Sequence, residues 1–302
     1  MTDTVRHPLA EQIRACLPSA VAARYTVCAV DETVSTNTDL KHLAADACSK
    51  KEAVSPTLLL ARTQSGGRGR MGRSFHSPVG TGLYMSILLA PDMPAREALL
   101  LTTAAAVACA EAADAVRSEL DQTTAARVGI KWVNDLYLQG KKICGILAEA
   151  SLSADADTLA WAVIGIGLNL TPPDGGFPEA LSHTAGALLS QIPEDTDPDA
   201  LLCRLAADIL VRLDRFLCMD EKPYVLDAYR SRSILDGCAV TVRPMGSLDG
   251  ESFAAVVRGI DDDFGLRVVY TDGTESTLSS GEVVMRGDDG SVQSARASVH
   301  LR

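Results

Sequence analysis

"PTLLLARTQSGGRGRMGRSFHSPVGTGLYMSILLA", residues Pro56 to Ala90, joins two apolar runs through a loop of unusual composition. "PTLLLAR" (Pro56–Arg62) and "GLYMSILLA" (Gly82–Ala90) are short and bounded by turn residues, so both read as buried strands. Between them Arg68, Arg70 and Arg73 stand among Gly66, Gly67, Gly69 and Gly72. Glycine costs conformational entropy on ordering, and neighbouring guanidinium groups repel. Successive backbone N–H groups and forked arginine donors together suit a small anion; a solvated basic loop is the plainer alternative. No Gly-Lys-Ser/Thr follows, and no GxGxxG opens a helix here, which excludes the Walker and Rossmann phosphate loops.

Working outward, Pro94 opens an Ala/Leu-rich helix predicted to run to about Leu120. "VGIKWVNDLYLQGKKICGILAEA" (Val128–Ala150) reads as strand, turn, strand, a Gln139-Gly140 turn, and a third strand from Ile143. Leu159–Leu170 is another strand, and "TPPDGGFPEALSHTAG" is loop by composition. Helices are predicted over Asp199–Leu217 and Pro223–Arg230, and one short helix before Val27. After Gly237 short alternating runs separated by turn clusters predict a small antiparallel barrel. The reading is therefore α+β: a mixed sheet with helices on one side, then a β-barrel. Its divisions are an N-terminal extension (1–26), a main domain (27–234), a C-terminal domain (235–287) and a polar, flexible tail (288–302).

The chain has 302 residues and a formal net charge of −11, which argues against a general nucleic-acid binder and leaves the basic loop for a small ligand. Eight scattered cysteines match neither zinc spacing nor a secreted disulfide framework. The first residues lack a signal-peptide apolar run, and Leu99–Val116, broken by Glu111 and Asp114, suits a buried helix better than a membrane span. The expected location is the cytoplasm.

Four further stretches offer chemistry, each with a bland alternative. In "KWVND" a strand would turn Lys131, Val133 and Asp135 one way and Trp132 and Asn134 the other; a surface ion pair is the commoner fate of such residues. In "KKICGIL" Gly145 marks close approach by a ligand or by packing, after Lys141 and Lys142. Asn169, ending "IGIGLN", could meet a nucleotide or cap a turn. Ser35, Thr36 and Asn37 offer hydroxyl and amide groups, or an N-cap for "TDLKHLAADA".

The ordered set is more specific than its parts. STN, Q-x-x-GRGR-x-GR, KW-x-ND, KKICGIL-x-E and GIGLN resemble the biotin–protein ligases, also called biotin–[acetyl-CoA-carboxylase] ligases, densely from about Val30 to Asn169. The resemblance implies a catalytic domain like that of class II aminoacyl-tRNA synthetases and an SH3-like C-terminal barrel. It implies activation of biotin with ATP and Mg²⁺ to biotinyl-5′-AMP, then transfer to one lysine of a biotin carboxyl carrier domain of an acetyl-/acyl-CoA or pyruvate carboxylase. It assigns biotin binding to Ser35, Thr36, Asn37, Gln64, Arg68, Gly69, Arg70, Lys131 and Gly145, and catalysis to Lys131 and Arg70. It assigns the nucleotide to Arg70, Arg73, Trp132, Asn134, Asp135, Lys142 and Asn169, and assigns no metal ligands. The family's usual proline is Val133 here, and the adenine-side loop after Leu170 keeps only part of the family texture. Some members carry an N-terminal DNA-binding domain. About thirty residues precede the matched region, so no DNA is expected as a partner, nor a membrane; a homodimer stays open. A lipoate–protein ligase is the nearest rival, without the GRGR-x-GR loop.

Overall fold

Strands β2 (Thr57–Gln64) and β3 (Gly82–Leu89) flank the arginine–glycine loop, as their composition predicts, and they pair antiparallel. The computed structural model describes residues 4, 6–120, 126–154, 156–218, 221–243 and 252–285. Residues up to Arg232 form one compact unit and those from Ser233 a second.

In the first unit β1 (Thr26–Thr33) lies parallel to β2. The other strands are β4 (Gly129–Lys131), β5 (Asp135–Leu138), β6 (Lys141–Leu152) and β7 (Leu159–Asn169). The order is β1-β2-β3-β7-β6-β5-β4 with every later pair antiparallel, so the sheet is mixed. Two rows of directly paired residues cross one face. One runs Cys28, Leu59, Ser86, Gly165, Leu147; the other runs Tyr84, Gly167, Gly145, Asp135, Lys131. Paired residues share a face, so each row is a line of neighbours.

The opposite face carries Leu58, Leu60, Leu83, Ile87, Ile164 and Leu168, all fully buried. Its cover is helical. Helices α1 (Pro8–Cys16) and α2 (Ser19–Ala22) precede β1, α3 (Thr36–Ser49) follows it, and α4 (Leu99–Glu119), α5 (Pro198–Cys218) and α6 (Lys222–Arg232) come later. The α4 helix is long and apolar enough to cross a membrane, yet most of it is buried in the core, as its interrupting acidic residues predict. Its alanines from Ala104 to Ala106 are fully buried and let it approach closely, while each buried leucine or valine adds about 1.5–3 kcal/mol.

Several local expectations give way to packing. One helix is predicted before Val27; the described residues hold Pro8–Cys16 and Ser19–Ala22, and α1 buries Leu9, Ala10 and Ile13. Pro94 caps a short 3₁₀ turn (Ala95–Glu97), and α4 begins only at Leu99. The helix α3 lies on the other face from the main helical layer, where Leu40 and Ala44, at i and i+4, meet Cys28, Leu59, Leu88 and Val163. The "KWVND" stretch is not one strand. Trp132, Val133 and Asn134 form the turn between β4 and β5, and the Trp132–Val133 peptide is cis. Lys131 and Asp135 still share a face, because they pair across that turn.

The second unit is antiparallel: β8 (Ala239–Arg243), β9 (Phe253–Ile260), β10 (Leu266–Tyr270), β11 (Glu275–Leu278) and β12 (Glu282–Met285), in the order β11-β10-β9-β8-β12. Alternation buries Val240 and Val242 on β8 and Val257 on β9, as expected of an SH3-like sheet. The tail predicted over 288–302 lies outside the described residues.

Candidate functional site

Two glycines side by side, Gly145 and Gly167, leave the middle of the second row as bare backbone. The ring of Phe75, from the arginine–glycine loop, lies over it. A Cβ on Gly167 would stand 2.6 Å from Phe75 Cε1, and one on Gly145 3.5 Å from Cε2. Phe75 also meets Tyr84 edge-on, with centroids 6.4 Å apart. The close approach read into Gly145 is therefore met by an aromatic ring.

At one end of this floor stands a buried hydrogen-bond network. Ser35 is the N-cap residue of α3, but its side chain makes no capping bond. Ser35, Thr36 and Asn37 are all nearly inaccessible to solvent. Gln64 Oε1 accepts from the Thr36 backbone N–H (3.0 Å) and lies 3.1 Å from Thr36 Oγ1, while Gln64 Nε2 donates to Ser77 Oγ (3.2 Å). Thr36 Oγ1 is 2.7 Å from Ser86 Oγ, which donates to Asn37 Oδ1 (2.6 Å). Asn37 Nδ2 donates to Glu149 Oε2 (3.0 Å) and to the Leu147 carbonyl (3.3 Å). Lys41 Nζ donates to Glu149 Oε1 (2.6 Å). Burial raises the Glu149 pKa, but the bonds from Lys41 and Asn37 and the charges of Lys41 and Arg68 outweigh it and hold the carboxyl below its ordinary value.

The other end is cationic. Lys142 Nζ lies 2.8 Å from Asp135 Oδ1 and 3.3 Å from where a Cβ on Gly145 would sit, so its ammonium group is on the floor. Lys131 Nζ stands 5.6 Å from the centroid of the Tyr137 ring. Arg70 Nη1 donates to Asn134 Oδ1 (2.9 Å), and Asn134 Nδ2 to the Ile146 carbonyl (2.7 Å), which ties the loop to the sheet. The turn holding Trp132 and Asn134 is buried, and the fully buried Tyr229 of α6 donates to the Val133 carbonyl (3.1 Å).

The loop is a tight hairpin. Gly69 N–H donates to the Arg73 carbonyl (2.7 Å), and Phe75 N–H to that of Gly67 (2.8 Å). Its tip, Met71 and Gly72, has positive φ (55° and 74°), which is costly for Met71 and free for glycine. Arg68 and Arg73 are exposed. Asn169, two residues beyond Gly167, donates to the Gly186 carbonyl (2.9 Å). The segment around Gly186 also brackets Lys142, whose backbone N–H donates to the Thr184 carbonyl and whose carbonyl accepts from Gly186 N–H, both at 2.8 Å.

Sequence reasoning missed Ser86, Ser77, Phe75 and Lys41, and gave no role to Glu149, which closes the KKICGIL-x-E motif. Ser86 had a signal: it is the lone hydroxyl in the apolar run "GLYMSILL", and a polar group there needs a partner. Phe75 and Ser77 had none beyond lying in the loop. Glu149 and Lys41 are 108 residues apart and meet only through the sheet and α3.

Residues 30–169, spanning both ends of this floor, match the model of the biotin/lipoate A/B protein ligase family. The chain carries a domain of that family. The chain is 30% identical over 224 residues to the bifunctional ligase/repressor BirA of Bacillus subtilis, covering 74% of this chain and 65% of that protein. It is 29% identical over 284 residues to the biotin–[acetyl-CoA-carboxylase] ligase of Mycobacterium tuberculosis, covering 93% and 97% of the two chains. Among solved structures it is similar to the biotin protein ligase of Aquifex aeolicus in complex with biotin and ATP (TM-score 0.62, 26% identity, 86% of this chain and 98% of that one).

Proposed function

We propose that this chain is a biotin–protein ligase of the cytoplasm. One observation carries the reading: a glycine-floored face has a buried end lined by the uncharged side chains of Ser35, Thr36, Asn37 and Gln64 and a cationic end, bridged by a loop anchored to both. Biotin has the same polarity, with a neutral urea at one end and a carboxylate at the other. The relatives named biotin–[acetyl-CoA-carboxylase] ligase support the substrate, and all eight cysteines being unpaired supports a reducing compartment.

In the first step a biotin carboxylate oxygen attacks the α-phosphorus of ATP, the bond to the bridging oxygen breaks, and pyrophosphate leaves with its electron pair. Two anions must approach, so fixed cations are needed where charge develops. Arg70, Lys131 and Lys142 supply them; Lys142 stands nearest the glycine floor, and Asp135 keeps its ammonium group oriented. Ser35, Thr36, Asn37 and Gln64 hold the urea, and Arg68 with Gly69 and Gly145 line the path between. Arg73, Trp132, Asn134 and Asn169 complete the nucleotide side. Mg²⁺ enters as part of the substrate Mg-ATP, and its phosphates supply most of its ligands; among the described residues no three His, Cys, Asp or Glu cluster as a metal site. In the second step the neutral amine of a carrier-domain lysine attacks the acyl carbon, and AMP departs as the amide forms. Covering the mixed anhydride with the loop keeps water from competing.

The test is acid-dependent exchange of pyrophosphate into ATP with biotin, lipoate and octanoate. Exchange with biotin is expected, falling about 10²–10³-fold in Lys142→Ala and in Lys131→Ala. Exchange with lipoate or octanoate but not biotin would overturn the substrate, and unchanged rates in both variants would overturn the assigned cations.

A further inference from the structure

We propose that Glu149, with its charge balanced by Lys41, is a positioning residue that sets the donor–acceptor polarity of the buried end of the site by holding the Asn37 amide in one orientation. The inference rests on the biotin-ligase reading.

A carboxamide has two faces of opposite character, and rotation by half a turn exchanges them. A carboxylate only accepts hydrogen bonds, so Glu149 Oε2, 3.0 Å from Asn37, requires the Nδ2 side. The Leu147 carbonyl, also only an acceptor, makes the same demand at 3.3 Å. Oδ1 is thereby turned to Ser86, which must donate its single proton to it. Ser86 Oγ then has only acceptor capacity left toward Thr36 Oγ1, 2.7 Å away, and the single Thr36 proton serves both Ser86 and Gln64 Oε1, to which Thr36 Oγ1 donates at 3.1 Å. Gln64 Oε1 is served by the Thr36 backbone N–H, and Gln64 Nε2 points to Ser77. The orientation of the Asn37 amide, and with it the direction of the Ser86 bond, follows from the ionised group at the end of the series.

What remains after these bonds is specific. Both Asn37 amide protons are used, on Glu149 and Leu147, so Asn37 offers a ligand only the second lone pair of Oδ1. Thr36 Oγ1 likewise offers lone pairs, while Gln64 keeps its second Nε2 proton. A cyclic urea needs acceptors for its N–H groups and a donor for its carbonyl. Gly165 leaves room for Asn37, since a Cβ there would overlap Oδ1. Lys41 keeps Glu149 ionised but touches none of the ligand-facing atoms. With glutamine at 149, the side chain could present either an oxygen or an N–H to Asn37, and the amide could turn over.

The experiment compares the wild-type chain with Glu149→Gln and Lys41→Met by pyrophosphate exchange, varying biotin, desthiobiotin and ATP separately, with thermal unfolding of each protein. Glu149→Gln is expected to raise KM for biotin and for desthiobiotin, which keeps the urea, by the same factor of about ten. Its kcat and KM for ATP stay within twofold. Lys41→Met leaves an acceptor at 149, so its biotin KM stays within about threefold even where its Tm falls. Glu149→Gln with an unchanged biotin KM, with all three parameters worsening together alongside Tm, or with Lys41→Met matching it in biotin KM would overturn the positioning role. Wild-type protein without biotin-dependent exchange would overturn the ligase reading itself, a result distinct from any variant's behaviour.

Discussion

Replacing Gly165 with alanine tests the packing of the site without touching a charged group. The added Cβ would overlap Asn37 Oδ1 and stand 2.8 Å from Cγ and 3.0 Å from Nδ2, well inside van der Waals contact. Gly165 is not at positive φ, so its backbone accepts alanine, and Asn37 must move. Moving it breaks three hydrogen bonds, to Ser86, Glu149 and Leu147. Two neutral bonds at about 1 kcal/mol each and one to a carboxylate at about 1.5–3 kcal/mol give a gross loss of about 3.5–5 kcal/mol. Alanine in a strand returns about 0.5–1 kcal/mol relative to glycine. The net loss of about 2.5–4.5 kcal/mol corresponds to a fall in Tm of roughly 5–18 °C for a unit of this size. Scanning calorimetry reads it directly, and a second arm identifies the cause. In an Asn37→Ala background the obstructing side chain is gone, so Gly165→Ala should change Tm by less than about 2 °C. A Gly165→Ala protein melting with the wild type, or an equal loss in both backgrounds, would refute the argument.

Two further outcomes follow from electrostatics and burial. Glu149 has a depressed folded-state pKa, so its contribution to stability is present above its ordinary range, about 4.3, and is lost as pH falls through the lower folded value. Melting curves at descending pH should therefore show a smaller acid-induced loss in Glu149→Gln than in the wild type, and parallel curves would contradict this. Among the eight cysteines, exposed Cys16 and Cys48 should react first with a disulfide reagent in the folded protein. Exposed Cys218 should lag, because burial and neighbouring Asp214 push its thiol pKa up, and Cys203, pushed up to about 12 by burial, should react only on unfolding.

Local patterns in the sequence carried the strands flanking the loop, the buried alanine-rich helix and the antiparallel texture of the C-terminal unit. They carried them because burial imposes a period on apolar residues that neighbours alone can display. A turn was expected in this stretch but its place at Trp132–Asn134 was hidden, since Trp132 and Val133 are apolar and strand-prone, and it is held by Tyr229 about a hundred residues away. The face chosen by α3 was hidden for a related reason: Leu40 and Ala44 announce an apolar stripe but not which sheet surface receives it. In the site, the resemblance picked out Thr36, Asn37 and Gln64, which the fold brings into one network. It ranked Lys131 above Lys142; both lie on the cationic end, with Lys142 Nζ beside Gly145 and Lys131 beside Tyr137. Glu149 closes the KKICGIL-x-E motif, but its role and its partner Lys41 are hidden from any reading that cannot see the strand register bringing them together.

The docking of α1 against α5 bears on how the chain is made. Cys203 Sγ donates to the Leu9 carbonyl across 194 residues, and Arg24 and Tyr25 both bond Asp214 across about as many. At about 5–20 residues per second, a ribosome needs roughly 10–40 s between synthesising the first partner and the second. Throughout that interval Leu9 and Ile13 have no α5 to cover them, so this stretch is a natural hold point for a chaperone at the exit tunnel, and a nascent chain stalled before Pro198 should remain bound to one.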